Sequence, residues 1–359
     1  MPRSLSAGLF AAGLLAFAAT VATPATPATP GQDKKEPPKA KTRIAVADPL
    51  EAAKDPDFAV QGEYEGVMSG NGQTSDNKES KVGVQVIAHG QGRFTAKVLP
   101  GGLPGAGWDG KTSSKFSVTR DDAGTTVTDG KNSVVGRIAE GRIEIKTATM
   151  TLNAKKLERQ SETLGKKPPE GAVVLFGREG DEKNWKNGKL LELSDGKFLT
   201  VSQTGSIRSN EKFDGFKAHL EFRLAWMPNS TGQGRSNSGV YLQDRYECQI
   251  LDSFGLSGEN NECGGIYTQH KPKVNMCFPP MTWQTYDIEF TPAQFGPDGK
   301  KTKNARATIF HNGVKIHDDI EFPRECPGGK PEAATPGPFQ FQDHGDPVVF
   351  RNVWVVPVK

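Results

Sequence analysis

Hydrophobic and polar residues alternate along most of this chain with a period of two, the pattern of strands that bury one face. The cleanest run is 216–224, where Phe216, Ala218, Leu220, Phe222 and Leu224 take one parity and Lys217, His219, Glu221 and Arg223 the other. Shorter runs come earlier: Val82, Val84 and Val86, then Phe94, Ala96 and Val98, then Ile138, Ile143 and Ile145, broken by the turn pairs Asp129-Gly130 and Glu140-Gly141. They predict a small antiparallel β domain over 48–165, a sandwich or a barrel. Further apolar or alternating runs at 172–176, 191–193, 198–201, 207–209, 283–290, 305–311, 314–320, 339–342 and 348–356 predict a second, larger domain over 171–359. Helical periodicity is nearly absent, so the fold class is all-β, with two packed antiparallel sheets in jelly-roll arrangement for the larger domain.

The most informative run is NSGVYLQDRYECQILD, 237–252, in which two alternating segments flank a polar turn at Gln243, Asp244 and Arg245. It reads as a β-hairpin. In the second segment Tyr246, Cys248 and Ile250 share one parity and Glu247 and Gln249 the other, so the pleat sends a carboxylate and an amide to one face, about 7 Å apart along the strand. That spacing suits a polar ligand such as a sugar ring. A solvent-facing half of an ordinary antiparallel sheet has the same pattern.

Between the two domains, 161–170 includes Lys166, Lys167, Pro168 and Pro169 in succession and has linker character, with 166–170 the linker itself. Upstream, 23–47 holds TPATPATP and a Lys- and Pro-rich run with too few apolar groups to order itself, a tether. Residues 1–22 carry Arg3, an apolar stretch from Leu9 to Ala19 and small residues fit for cleavage, which predicts an export signal and a periplasmic or secreted mature protein. The apolar stretch is too short for a membrane span. A net charge of +3, from 45 basic and 42 acidic residues, leaves no nucleic-acid footprint.

The four cysteines, Cys248, Cys263, Cys277 and Cys326, all lie in the C-terminal half. In an oxidising compartment disulfides are the expectation, with Cys263–Cys277 the first choice of pairing. A zinc site is the alternative, although the spacing lacks a Cys-x-x-Cys pair. In the smaller domain Trp108, inside GGLPGAGWDG, is either a sugar-stacking platform or the anchor of a Gly-rich loop.

The segments GAVVLFGREGDEKNW, NSGVYLQDRYECQILDSFG, GGIYTQHKPKVNMCFPP, TWQTYDIEFTPAQF, ARATIFHNGV and FQDHGDPVVFRNVWV, in this order, resemble the 3-keto-disaccharide hydrolase (3-keto-glucoside lyase and hydratase) family over about 170–359. The resemblance implies a concanavalin-A-like jelly-roll and action on glycosides oxidised to a ketone at C3. Such a ketone makes the C2 hydrogen acidic, and a base there expels the group on C1. The site therefore needs a positioned base, a donor to the C3 oxygen and a proton source, in place of two opposed carboxylates.

On that reading Glu247 is the base, and His344, with its neighbour Asp343, serves the leaving group. Gln249, Tyr241, Gln243, Arg245, Tyr267, Gln284 and Arg351 are the candidate substrate contacts. Asn237 and Asp252 read as turn caps. Asp244, Asp252 and Glu259 are acids of the kind that bind calcium, yet no calcium-loop motif is present, and neither a metal nor a cofactor is assigned. The expected partner is an oxidised glycoside or another carbohydrate. The alternatives are a non-catalytic carbohydrate-binding or cell-surface module, and an ordinary glucan glycosidase, which the missing Glu-x-Asp-x-x-Glu strand motif disfavours.

Overall fold

The protein is described from a computed structural model, which covers residues 44–70, 78–201 and 205–358. The predicted export signal and most of the predicted tether lie outside the described residues.

Eight strands, from Gly62–Gly70 to Met150–Leu157, pair in sequence order and close into a barrel. Of the two forms the sequence allowed for this domain, the barrel is the one formed, and closure leaves no sheet edge unpaired. Its interior takes one parity of each strand: Val82, Val84 and Val86 meet Phe94, Ala96 and Val98, with Tyr64, Ile143, Ile145 and Leu152 completing the filling. Trp108 is a loop anchor here, its indole N–H donating to the Thr112 carbonyl at 2.6 Å and its ring lying 4.8 Å from the Lys97 ammonium.

The second body is a sandwich of a five-stranded and an eight-stranded sheet. The five run in the spatial order Trp185–Lys186, Ile207–Phe213, Gly337–Phe341, Asn237–Leu242, Tyr246–Leu251. Gly215–Arg223 lies in the other sheet between Trp283–Thr291 and Val349–Val358. Phe216, Leu220 and Phe222 from one sheet pack against Tyr246, Cys248, Ile250, Phe339 and Phe341 from the other.

Of the polar parity of 216–224 only Lys217 faces water. His219, Glu221 and Arg223 are all buried: the segment expected to be a linker lies across Glu221 and across the Asp287 that holds His219, while Arg223 pairs with Asp195 and lies over the Phe198 and Trp283 rings. Ser161 pairs with Thr285 at 2.6 Å, Thr163 donates to Asp287, the Gly165 N–H donates to Glu221, and Lys166 reaches Asp287. Desolvation alone would raise the Glu221 and Asp287 carboxyls, but hydrogen bonds from His219 and its neighbours outweigh it and hold both down to about 2.

Barrel and sandwich meet at Arg235. Its guanidinium pairs with Asp252 at 2.6 Å and donates to the barrel's Ala88 carbonyl at 3.1 Å, all of it buried. Removing one partner of a buried pair strands the other without water. Arg235→Ala is expected to lower unfolding stability by about 3–5 kcal/mol, which urea titration of the full chain measures.

Candidate active site

The hairpin forms as its pattern requires. Asn237–Leu242 and Tyr246–Leu251 pair antiparallel around a turn in which Gln243 and Asp244 have φ of 55° and 60°, the left-handed values of a tight hairpin turn. Tyr246, Cys248 and Ile250 enter the core. Glu247 and Gln249 take the opposite face, where register sets Glu247 across from Tyr241 and Gln249 across from Gly239. In the other direction Tyr241 pairs with Gln340, and the Gln342 N–H donates to the Gly239 carbonyl at 2.9 Å.

This outer face is covered. Glu247 and Gln249 are each 2% exposed. On one side the chain around 326–335 is pinned to the hairpin turn: the Cys326 N–H donates to the Arg245 carbonyl and the Lys330 N–H to the Asp244 carbonyl. Arg245 donates to the carbonyls of Pro331 and Thr335, and Tyr246 to Glu332. On the other side the backbone N–H groups of Gln249 and Tyr267 tie the strand to the loop that follows it. Half-buried Gln233, Tyr267 and Gln342 form the rim, with exposed His344 beyond.

Inside, Glu247 leans over Gly239, where a Cβ would lie 2.1 Å from Glu247 Oε1. Its Oε2 is 2.9 Å from the Tyr241 hydroxyl, which is also 2.8 Å from the Pro327 carbonyl oxygen. One phenolic hydrogen serves two acceptors, so a proton on Glu247 satisfies all three groups at once. Burial pushes the Glu247 carboxyl up to about 7, the hydrogen bond from Tyr241 working against it. Burial and the Glu247 charge together raise the Tyr241 phenol above its ordinary range. Glu247 Oε1 has no hydrogen-bond partner among the described residues.

The structure thus gathers Glu247, Gln249, Tyr241 and Tyr267 and places the other candidates differently. Gln249 is internally satisfied, its oxygen accepting from the Ile250 N–H and its amide N–H facing Gln233. Gln243 and Arg245 bond to each other and to the backbone of 213–214 and 331–335, holding the cover rather than lining a cleft. Gln284 is fully buried, accepting from the Phe278 N–H beside His311. Arg351 belongs to the other sheet, donating to Glu221 and stacking 4.0 Å from the Trp283 ring centre. Asp343 braces the turn after Gly337–Phe341 by accepting from Gly205 and Gly345, and His344 sits on that turn. Asp252 and Asp244 are held by Arg235 and Arg208. Among the described residues no group of three or more His, Cys, Asp or Glu could hold a metal ion.

The four cysteines are buried free thiols. The Cys263 thiol lies 3.3 Å from the Tyr286 hydroxyl and the Cys277 thiol donates to the Leu251 and Phe278 carbonyls, so the expected Cys263–Cys277 disulfide is not formed. Three side chains at the site escaped the sequence reading. Gln342 sits in the quoted FQDHG run, 3.4 Å from the Tyr241 hydroxyl, and two residues along from Gln340 its parity was the available signal. Gln233 lies in an irregular loop that gave none. Asn237 was read only as a cap.

A buried carboxyl with a raised pKa and one free oxygen, on the polar outer face of a β-sandwich, makes this face the candidate functional site. A profile of the 3-keto-alpha-glucoside-1,2-lyase-like domain matches residues 171–356, and the chain belongs to that family. A solved structure from Parabacteroides distasonis ATCC 8503 at 2.13 Å, provisionally assigned as a glycosyl hydrolase, is 30% identical at TM-score 0.45, with 53% of this chain and 85% of that one covered. A second from the same organism at 1.70 Å, of like assignment, is 18% identical at TM-score 0.36, covering 53% of this chain and 95% of that one. A carbohydrate-binding module from Bacillus subtilis is 13% identical at TM-score 0.27, with 47% and 93% covered. No curated protein matches the chain.

Proposed function

We propose that the protein is an exported enzyme that cleaves 3-keto-glycosides by elimination and hydration. The observation that carries this reading is the unpartnered Oε1 of Glu247, whose carboxyl is tuned to about 7, in a chain of the 3-keto-glucoside lyase-like family. Glu247 takes the C2 hydrogen as a proton, and its electron pair is held as the enolate of the C3 ketone. The enolate collapses to restore the ketone and form a C1–C2 double bond, expelling the C1 oxygen, which takes a proton from His344 or from water. Water then adds across the double bond, its hydroxyl to C1 and its proton to C2.

Purified protein mixed with 3-keto-trehalose or methyl 3-keto-glucoside is expected to release the unsaturated or the free 3-keto sugar, detected by mass spectrometry. An inert protein across pH and divalent-metal conditions rejects the reading. Because the base works deprotonated, kcat/KM is expected to rise about tenfold per pH unit in acid and level off above about pH 7. A profile already flat at pH 5 contradicts Glu247 as the base.

The burial of Glu247 favours one second reading, a glycan-binding module without turnover. Calorimetric affinity for a glycan that survives Glu247→Gln, in a protein that turns over no keto sugar, selects it. Export rests on the leader at 1–22, and in the oxidising compartment Cys263 and Cys277, the first-choice pair from the sequence, are the thiols expected to oxidise to a disulfide. A mature chain that keeps Met1, with both thiols free to alkylation after unfolding, rejects this.

A further inference from the structure

Asn237 is 1% exposed and shares the outer face of its strand with Gly239 and Tyr241. Its amide cannot be turned round. Nδ2 donates to the Gln233 carbonyl at 2.9 Å and to Gln233 Oε1 at 3.1 Å, and both of these are acceptors, which a flipped amide would oppose with its own oxygen. Oδ1 therefore points away from Gln233, and it has no hydrogen-bond partner among the described residues. A buried carbonyl oxygen without a donor costs stability, and such orphans in native proteins have a reason.

The reason lies one strand repeat away. Asn237 is two residues from Gly239, about 7 Å along the strand, and Glu247 Oε1 lies over Gly239 itself. Two unpartnered acceptors thus stand at successive outward positions of one sheet face, one ionisable and one not. A ligand that satisfies both must present two hydrogens within about one strand repeat, roughly 7 Å. The C2 centre of a 3-keto-glycoside does so: it bears the acidic C–H and, on the same carbon, a hydroxyl.

We propose that Asn237 Oδ1 accepts a hydrogen bond from the substrate's C2 hydroxyl and thereby turns the C2 hydrogen toward Glu247, making the free 2-hydroxyl a required feature of the substrate. This rests on the reading of Glu247 as the base. Asn237 has no proton to exchange, so its contribution is orientation and selection. The Gln233 clamp fixes that contribution, since Gln233 also donates to the Asn261 carbonyl at 2.7 Å and so braces the amide from the neighbouring loop.

The test compares methyl 3-keto-glucoside with its 2-deoxy analogue. Calorimetric Kd values come from the full chain in a Glu247→Gln background, where the ligand survives, with and without Asn237→Ala, and kcat/KM from the chain with Glu247 intact. With Asn237 present, the 2-hydroxy ligand is expected to bind roughly tenfold tighter. Asn237→Ala erases that preference and lowers kcat/KM only for the 2-hydroxy substrate. The analogue's different intrinsic reactivity cancels in the ratio. Equal binding of the two ligands, or an equal loss on both from Asn237→Ala, overturns the proposal. The ligand comparison needs no Asn237 variant, so a misfolded one does not spoil it. Tenfold discrimination without turnover leaves the role of Asn237 standing and removes the lyase reading, and no binding of either ligand removes both.

Discussion

Glu247→Gln cuts turnover of a 3-keto-glucoside by about a thousandfold and makes the folded chain more stable above neutral pH. The two effects have one cause. The carboxyl is buried, and desolvation raises it to about 7 in the folded chain, against about 4.3 when unfolded. Between those values the unfolded chain has released a proton that the folded chain keeps, so stability falls as pH rises. The contribution is whole below about pH 4 and lost by about pH 7, up to roughly 3 kcal/mol. Glutamine keeps the shape and a hydrogen bond to Tyr241 without the charge. Urea unfolding at pH 5 and pH 8, beside kcat for both proteins, reads both effects. A variant that is inactive and also less stable at pH 8 would mean that the carboxylate is bound to an unseen cation or donor.

Gly239→Ala is the second large effect, and it leaves Glu247 chemically intact. The new methyl group would lie 2.1 Å from Glu247 Oε1 and 2.9 and 3.0 Å from its Cδ and Cγ, closer than non-bonded carbons come. All three atoms belong to one flexible side chain, and the backbone of Gly239 is not in the left-handed region, so the clash is relieved by rotating the carboxylate away. Catalysis through a displaced base is expected to lose at least a hundredfold in kcat, while the melting temperature moves by only a few degrees. A variant with native activity shows that the carboxylate need not lie over Gly239. One that fails to fold shows that its place is structural.

The alternation of Glu247 and Gln249 against Tyr246, Cys248 and Ile250 was enough to predict which side chains leave the core, because a strand's period of two is local chemistry. The same holds for the barrel valines and for Phe216, Leu220 and Phe222. What lies over the polar face is a different matter. Arg245 holds the carbonyls of Pro331 and Thr335 some ninety positions away, and nothing periodic in 323–336 announces that contact. Arg351 alternates with Val349 and Val353, yet the sheet it joins depends on pairing Val349–Val358 with Gly215–Arg223, a long-range choice. The Pro-rich 161–170 looked like a spacer because its Ser, Thr and Gly donors have no visible partner until Glu221 and Asp287 are buried beneath them. Asn237 reads as a turn cap in the sequence, and only the geometry shows the oxygen left over.

The most direct measurement is the fate of a C2 label. Methyl 3-keto-glucoside carrying deuterium at C2 is cleaved by the protein in ordinary water, and the released keto sugar is analysed, with the slow spontaneous exchange subtracted. Abstraction by Glu247 predicts that the label is lost in step with cleavage, with a slowed rate for the deuterated substrate, and that Glu247→Gln does neither. Cleavage that keeps the deuterium at C2 would mean that the C1 bond breaks without a C2 carbanion.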